Sequence, residues 1–195
     1  MKKVMFSIML LFMTTTAFAS NHDNTMRFLF GVTQVKFKET HENDSISWSP
    51  VALRAGIEKW FTPYIGIQGN IGVGIVDDER NVTGSLNPDS AIFGEETKVK
   101  SMADVYVLLG YQGERFTAAA KFGGASTRLG SEDSDNETFN DVGWGAEFRF
   151  HIGRHGAMVV DYQNRYHNDN YDTNADGDDI EVDISSIGLA YRMSF

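Results

Sequence analysis

Along most of the chain apolar and polar residues alternate one by one, in segments of roughly ten residues rich in Val, Ile, Phe, Tyr and Gly. A period of two marks a half-buried strand, because successive side chains leave opposite faces of the pleat. In the last segment Ile187, Leu189, Tyr191, Met193 and Phe195 share one face, and Gly188, Ala190, Arg192 and Ser194 share the other. Val142, Trp144, Ala146, Phe148 and Phe150 likewise oppose Asp141, Gly143, Gly145, Glu147 and Arg149, while Met158, Val160 and Tyr162 oppose Val159, Asp161, Gln163 and Arg165. Segments 51–60, 64–76, 102–110 and 116–126 repeat the pattern. Segment 26–38 is mixed: Phe28, Phe30 and Val32 begin one face, but Val35 and Phe37 fall on the other, and a bulge would reconcile them. Eight strands are predicted.

Short connections fall near 61–63, 112–114 and 153–156, and long ones at 38–46, 77–100, 127–138 and 167–181. This alternation predicts antiparallel up-and-down pairing, with tight turns at one end and loops at the other. Residues 1–19 carry Lys2 and Lys3, an apolar stretch and Ala17-Phe18-Ala19, the layout of a cleavable secretory signal, which leaves 20–195 as one barrel domain. The formal charge of −10 then becomes −12, since both charged residues removed are lysines. The four long connections carry −2, −3, −3 and −6, so the predicted strands are close to neutral. Such acidity argues against nucleic acid, and zero Cys removes disulfides, thiolate metal sites and catalytic thiols.

The polar faces separate a soluble barrel with an apolar inside from a membrane barrel with an apolar outside. Arg54, Lys121, Arg149, Arg165 and Arg192 lie opposite the apolar stripes, as do Glu58, Asp104, Asp141, Glu147 and Asp161. A balanced set of five and five suits the filled lumen of eight strands, where charges must be paired. Trp60, Phe61, Tyr64, Tyr111, Phe116, Phe148, Phe150 and Phe195 gather at the short-turn end, and Trp48, Tyr162 and Tyr166 toward the loops, as two interfacial belts would. The fold expected is therefore all-β: an eight-stranded antiparallel up-and-down transmembrane β-barrel.

Two stretches carry a family resemblance. The terminal 191–195, Tyr-Arg-Met-Ser-Phe, with Leu189 before it, is similar to the assembly signal of Gram-negative outer-membrane barrels (Leu189, Tyr191, Met193, Phe195). Residues 53–64, LRAGIEKWFTPY, resemble the second-strand, turn, third-strand unit of the small OmpA/OmpX-like, porin-like barrels. The resemblance implies a monomer in the outer membrane with periplasmic termini and extracellular loops. Its implied partners are outer-membrane lipid and lipopolysaccharide, the barrel-assembly machinery and periplasmic chaperones.

Chemistry is sparse. His151 and His155 fall at a short turn, His22 near the start and His167 before the fourth long connection. His41 with Asp89 and Ser90 loosely resembles a lipid-acylating arrangement in which a base activates an acceptor. Asp172, Asn174, Asp176, Gly177 and Asp178 match the first half of a calcium loop, with oxygen ligands at alternate positions and Gly at the sixth, although position twelve is Asp183 and not Glu. Calcium is accordingly the one cofactor candidate, and no catalytic residues are assigned. The expected role is surface interaction, with a possible host ligand, and not catalysis. A narrow channel for ions or small solutes is the alternative, and a lipid A-modifying enzyme the remote one.

Overall fold

The computed structural model describes residues 26–41, 44–84, 92–93, 96–130, 136–152, 156–171 and 180–194. Its strands in chain order are β1 (Arg27–His41), β2 (Asp44–Trp48), β3 (Val51–Trp60), β4 (Ile65–Val76), β5 (Asp78–Glu79), β6 (Asn81–Thr83), β7 (Glu96–Gln112), β8 (Phe116–Gly130), β9 (Glu137–Ile152), β10 (Gly156–Tyr171) and β11 (Ile180–Ser194). Eight form the wall in the order β11-β10-β9-β8-β7-β4-β3-β1, every pair antiparallel, and β1 pairs with β11 to close the ring. The closing ladder runs from Arg27 opposite Ser194 to Thr40 opposite Glu181. Closure leaves no sheet edge around the ring, the condition for crossing a bilayer with strands.

The wall strands are 10 to 17 residues long, and most exceed the ~9–11 needed to span. The excess rises at the long-loop end. There β2 prolongs β3 in the same register against β1, interrupted where Pro50 has no N–H to offer, while the Val35 N–H donates to the Pro50 carbonyl at 2.9 Å. The connection after β4 folds back on this extension. Its β5 pairs with β7, and its β6 adds to β2 with Val82 opposite Ile46.

Outward positions carry the aliphatic and aromatic side chains, including Phe28, Phe30, Ile57, Ile71, Val105, Trp144, Phe148, Leu189 and Tyr191, all exposed. The expected bulge in β1 is absent. Its pairing to β3 and β11 runs without a register shift, so Arg27, Leu29, Thr33, Val35, Phe37 and Glu39 all point inward. The mixed pattern has another cause: the lumen changes character along its length, charged below and apolar above.

Candidate functional site

In the half of the lumen toward the short turns, six cations (Arg27, Arg54, Lys121, Arg149, Arg165 and Arg192) meet four carboxylates (Glu58, Asp104, Glu147 and Asp161), all buried. Alternation on each strand points them inward, and the register stacks them. Arg54 grips Asp161 with both terminal nitrogens, each at 2.7 Å. Lys121 bridges Asp161 at 2.9 Å and Glu147 at 3.1 Å, and Arg149 pairs with both Glu147 and Glu58. Arg27 reaches Glu58 at 3.5 Å and Arg192 reaches it at 3.8 Å. Arg165 holds Asp104 at 2.8 Å and also donates to the Ala103 and Ser126 carbonyls. Such pairing offsets the cost of taking these ions out of water.

Nine of the ten expected lumen charges stand in this set: Arg54, Glu58, Asp104, Lys121, Glu147, Arg149, Asp161, Arg165 and Arg192. Asp141 does not. It is exposed, its carboxylate accepting from the Val142 and His167 backbone N–H groups at 2.6 and 3.4 Å. The reason is a seam. The β9–β10 ladder stops at Trp144 opposite Asn164, and β10 bulges at Arg165, so Asp141 sits where the wall opens. Arg27 takes the vacated place in the inventory. Its face was hidden in the sequence by the apolar inward residues of the same strand.

Above this network the lumen is filled by a second layer comprising Val35, Phe37, Ile46, Trp48, Ala52, Val99, Met102, Leu129, Phe139, Ile180, Val182 and Ile184, with Phe93 among them. Phe93 comes from the connection between β6 and β7 and inserts as a plug. Its ring centroid lies 5.2 Å from Phe37, 6.1 Å from Trp48 and 6.4 Å from Phe139. Phe139 continues the layer across the open seam to Tyr166 and Tyr171, at 5.2 and 5.9 Å. Trp48 and Trp60, read from the sequence as interfacial, both point into the lumen. Outward on the wall, Trp144 meets Tyr162 edge to face at 6.0 Å, with the exposed Phe122 opposite Trp144 in the β8–β9 ladder.

Glu39 latches the plug. It is fully buried, and both its carboxylate oxygens accept the Ile92 N–H, at 3.1 and 3.3 Å. It lies seven residues beyond Val32, the last outward apolar residue of β1, and so beyond the apolar band. Burial raises its pKa from 4.5 to about 7, against the opposing pull of the Ile92 N–H and the Arg80 charge. The folded protein therefore holds this proton more tightly than the unfolded chain does. Stability should be greatest below about pH 4.5 with respect to this group and should fall by about 3 kcal/mol as pH rises to about 7. Melting curves of the refolded barrel between pH 4.5 and 8 test this. Glu39→Gln should flatten that dependence, and an unchanged slope would remove Glu39 as its source.

At the rim of the fourth long connection His167 donates through Nδ1 to Asp183 at 2.6 Å, and its Nε2 lies 3.0 Å from Asp169. Asp183 beside the ring holds the imidazolium above its ordinary pKa. Ligand atoms of His167, Asp169 and Glu181 lie within 4.8 Å of one another, a spacing a divalent cation could use. The calcium-loop residues Asp172, Asn174, Asp176 and Asp178 lie outside the described residues, as do Asp89, Ser90, His22, His155 and the assembly-signal residue Phe195. Leu189, Tyr191 and Met193 of that signal face outward on β11. His151, at the short-turn end, shares a 3.0 Å hydrogen bond with Thr117.

A closed ring of antiparallel strands, apolar outside and charged within, matches the family model of the outer membrane protein beta-barrel domain over residues 5–192. The chain belongs to this family. The protein is therefore an eight-stranded barrel of the outer membrane. No curated protein matches the chain by sequence. Among solved structures it is similar to the outer membrane protein OprG from Pseudomonas aeruginosa (11% identity, TM-score 0.56, covering 90% of this chain and 98% of that one). It is also similar to Ail, the attachment invasion locus protein of Yersinia pestis, solved with the heparin analogue sucrose octasulfate (13%, 0.51, 88% and 100%). A third is the outer membrane protease OmpT from Escherichia coli (10%, 0.51, 93% and 100%). At these identities the likeness is one of fold, and it spans neighbours with different activities.

Proposed function

We propose that this outer-membrane barrel acts at the cell surface as an interaction protein, with its long-loop end extracellular and its termini periplasmic, and that it performs no catalysis. The observation that carries the reading is the doubly closed lumen. An aromatic layer plugged by Phe93 lies above a buried ion network, and a narrow channel would have to breach both. With the interior filled, the parts left to vary are the strand extensions and the acidic connections, where binding residues commonly sit. The acidity of those connections favours a cationic ligand over a sulfated polyanion such as the one bound by Ail.

The test compares bacteria displaying the intact protein with bacteria displaying a version whose connections 77–95 and 169–180 are shortened. Adhesion to host cells and matrix should fall at least tenfold with the shortened version at equal surface expression. Equal adhesion by the two, with discrete conductance from the intact barrel, would favour a channel instead.

A further inference from the structure

The ion network of the lumen does not balance at its short-turn end. Three of its pairs match one to one: Arg54 with Asp161 at 2.7 Å, Lys121 with Glu147 at 3.1 Å and Arg165 with Asp104 at 2.8 Å. The carboxylate left over is Glu58 on β3, and Arg149 on β9 engages both of its oxygens. Arg192 on β11 reaches Glu58 only at 3.8 Å, beyond hydrogen-bond length. Even with Arg27 set aside, Arg54, Lys121, Arg149, Arg165 and Arg192 face Glu58, Asp104, Glu147 and Asp161. One positive charge is in surplus, and it falls on Arg192.

Unused donors gather in the same region. Arg192 is 3% exposed, yet its Nε and Nη1 have no hydrogen-bond partner among the described residues. The same is true of Nε of Arg149, which is fully buried, and of Nε1 of Trp60, whose ring centroid lies 5.8 Å from the Arg149 guanidinium carbon. A buried N–H without an acceptor is costly, and a guanidinium cannot escape that cost by giving up its proton. What this cluster of donors lacks is an acceptor carrying one negative charge. Arg192 stands two residues from the end of β11, opposite Leu29 and Ala157, so the short-turn mouth of the barrel is close by.

We infer that the short-turn end of the lumen binds one small monovalent inorganic anion of the chloride class, which accepts from Arg192 and completes the ion network. Its single charge follows from the surplus of one cation, and its small size from the burial of every donor named. A charge-assisted bond in this water-poor interior is stronger than the same bond at the surface. The anion therefore belongs to the folded state, and the stability of the barrel rises with its concentration. The inference concerns the interior, goes beyond the surface-interaction role and does not rest on it. It leaves the lumen closed, because the aromatic layer plugged by Phe93 lies above the site.

Urea unfolding of the whole barrel in lipid vesicles tests it at fixed ionic strength, with chloride replacing gluconate, a monovalent anion too bulky for the site. At the wild-type midpoint in gluconate, saturating chloride should raise the folded-to-unfolded ratio at least about tenfold, because it binds only the folded chain. Arg192→Met should lose that response, and it orphans no carboxylate, since Arg149 still holds Glu58. Independently of any variant, wild-type crystals grown in bromide should show anomalous scattering within hydrogen-bond distance of Arg192 Nη1. A wild type indifferent to chloride, a full chloride response in Arg192→Met, or no bromide beside Arg192 would overturn the site.

Discussion

Replacing Arg149 with methionine should destabilise the barrel by about 3–5 kcal/mol, because it leaves the buried carboxylates of Glu58 and Glu147 without their shared cation. The loss should be uneven. Glu147 keeps Lys121 at 3.1 Å, whereas Glu58 is left with Arg27 and Arg192 at 3.5 and 3.8 Å. Removing a carboxylate as well, in Arg149→Met with Glu147→Gln, should recover part of the loss, since Lys121 keeps Asp161 at 2.9 Å and Glu58 keeps Arg27 and Arg192, so no further buried ion is orphaned. Urea unfolding of both variants in lipid vesicles provides the measurement. Additive losses would mean that the two residues do not act as a pair.

Phe93→Ala should cost about 3–5 kcal/mol, the usual range for emptying a buried aromatic site. Phe93 touches rings from three separate parts of the wall, so the surrounding layer cannot collapse into the space without moving β1, β2 or β9. The same change should release the connection between β6 and β7 from the mouth. Limited proteolysis should then cut within 84–95 faster in the variant than in the wild type, while Glu39→Gln, which weakens the latch and not the plug, should have a smaller effect. Unchanged cleavage would mean that Phe93 does not hold the connection down.

The wall was readable in the sequence because a strand in a closed barrel has only two faces, and a one-residue error would put charge into lipid. That constraint held for the clean segments, where Arg54, Lys121 and Arg149 all turned inward. It weakened where the inside itself is apolar. Val35 and Phe37 looked like a change of face in β1, yet they are inward residues of the aromatic layer, and the misreading concealed Arg27. Trp48 and Trp60 were misplaced for the same reason, since an aromatic near a strand end reads equally well as belt or plug. Asp141 kept its alternation, but the ladder beside it ended, and alternation says nothing about whether a neighbouring strand is present. Phe93 had the weakest signal of all: a lone apolar pair, Ile92-Phe93, inside a polar connection. Its partners are supplied by β1, β2 and β9, far apart in the chain, and no local pattern encodes that meeting.

Similarly, Arg128 looked like a loop residue, although β8 carries it outward as part of the wall.

The closed lumen is the centre of this account, and planar-bilayer recording tests it most directly. Purified wild-type barrel should give no discrete conductance steps, and Phe93→Ala should give none either, because the ion network beneath the plug remains intact. Steps of uniform size from the wild type, present in every reconstitution and absent from empty bilayers, would contradict it.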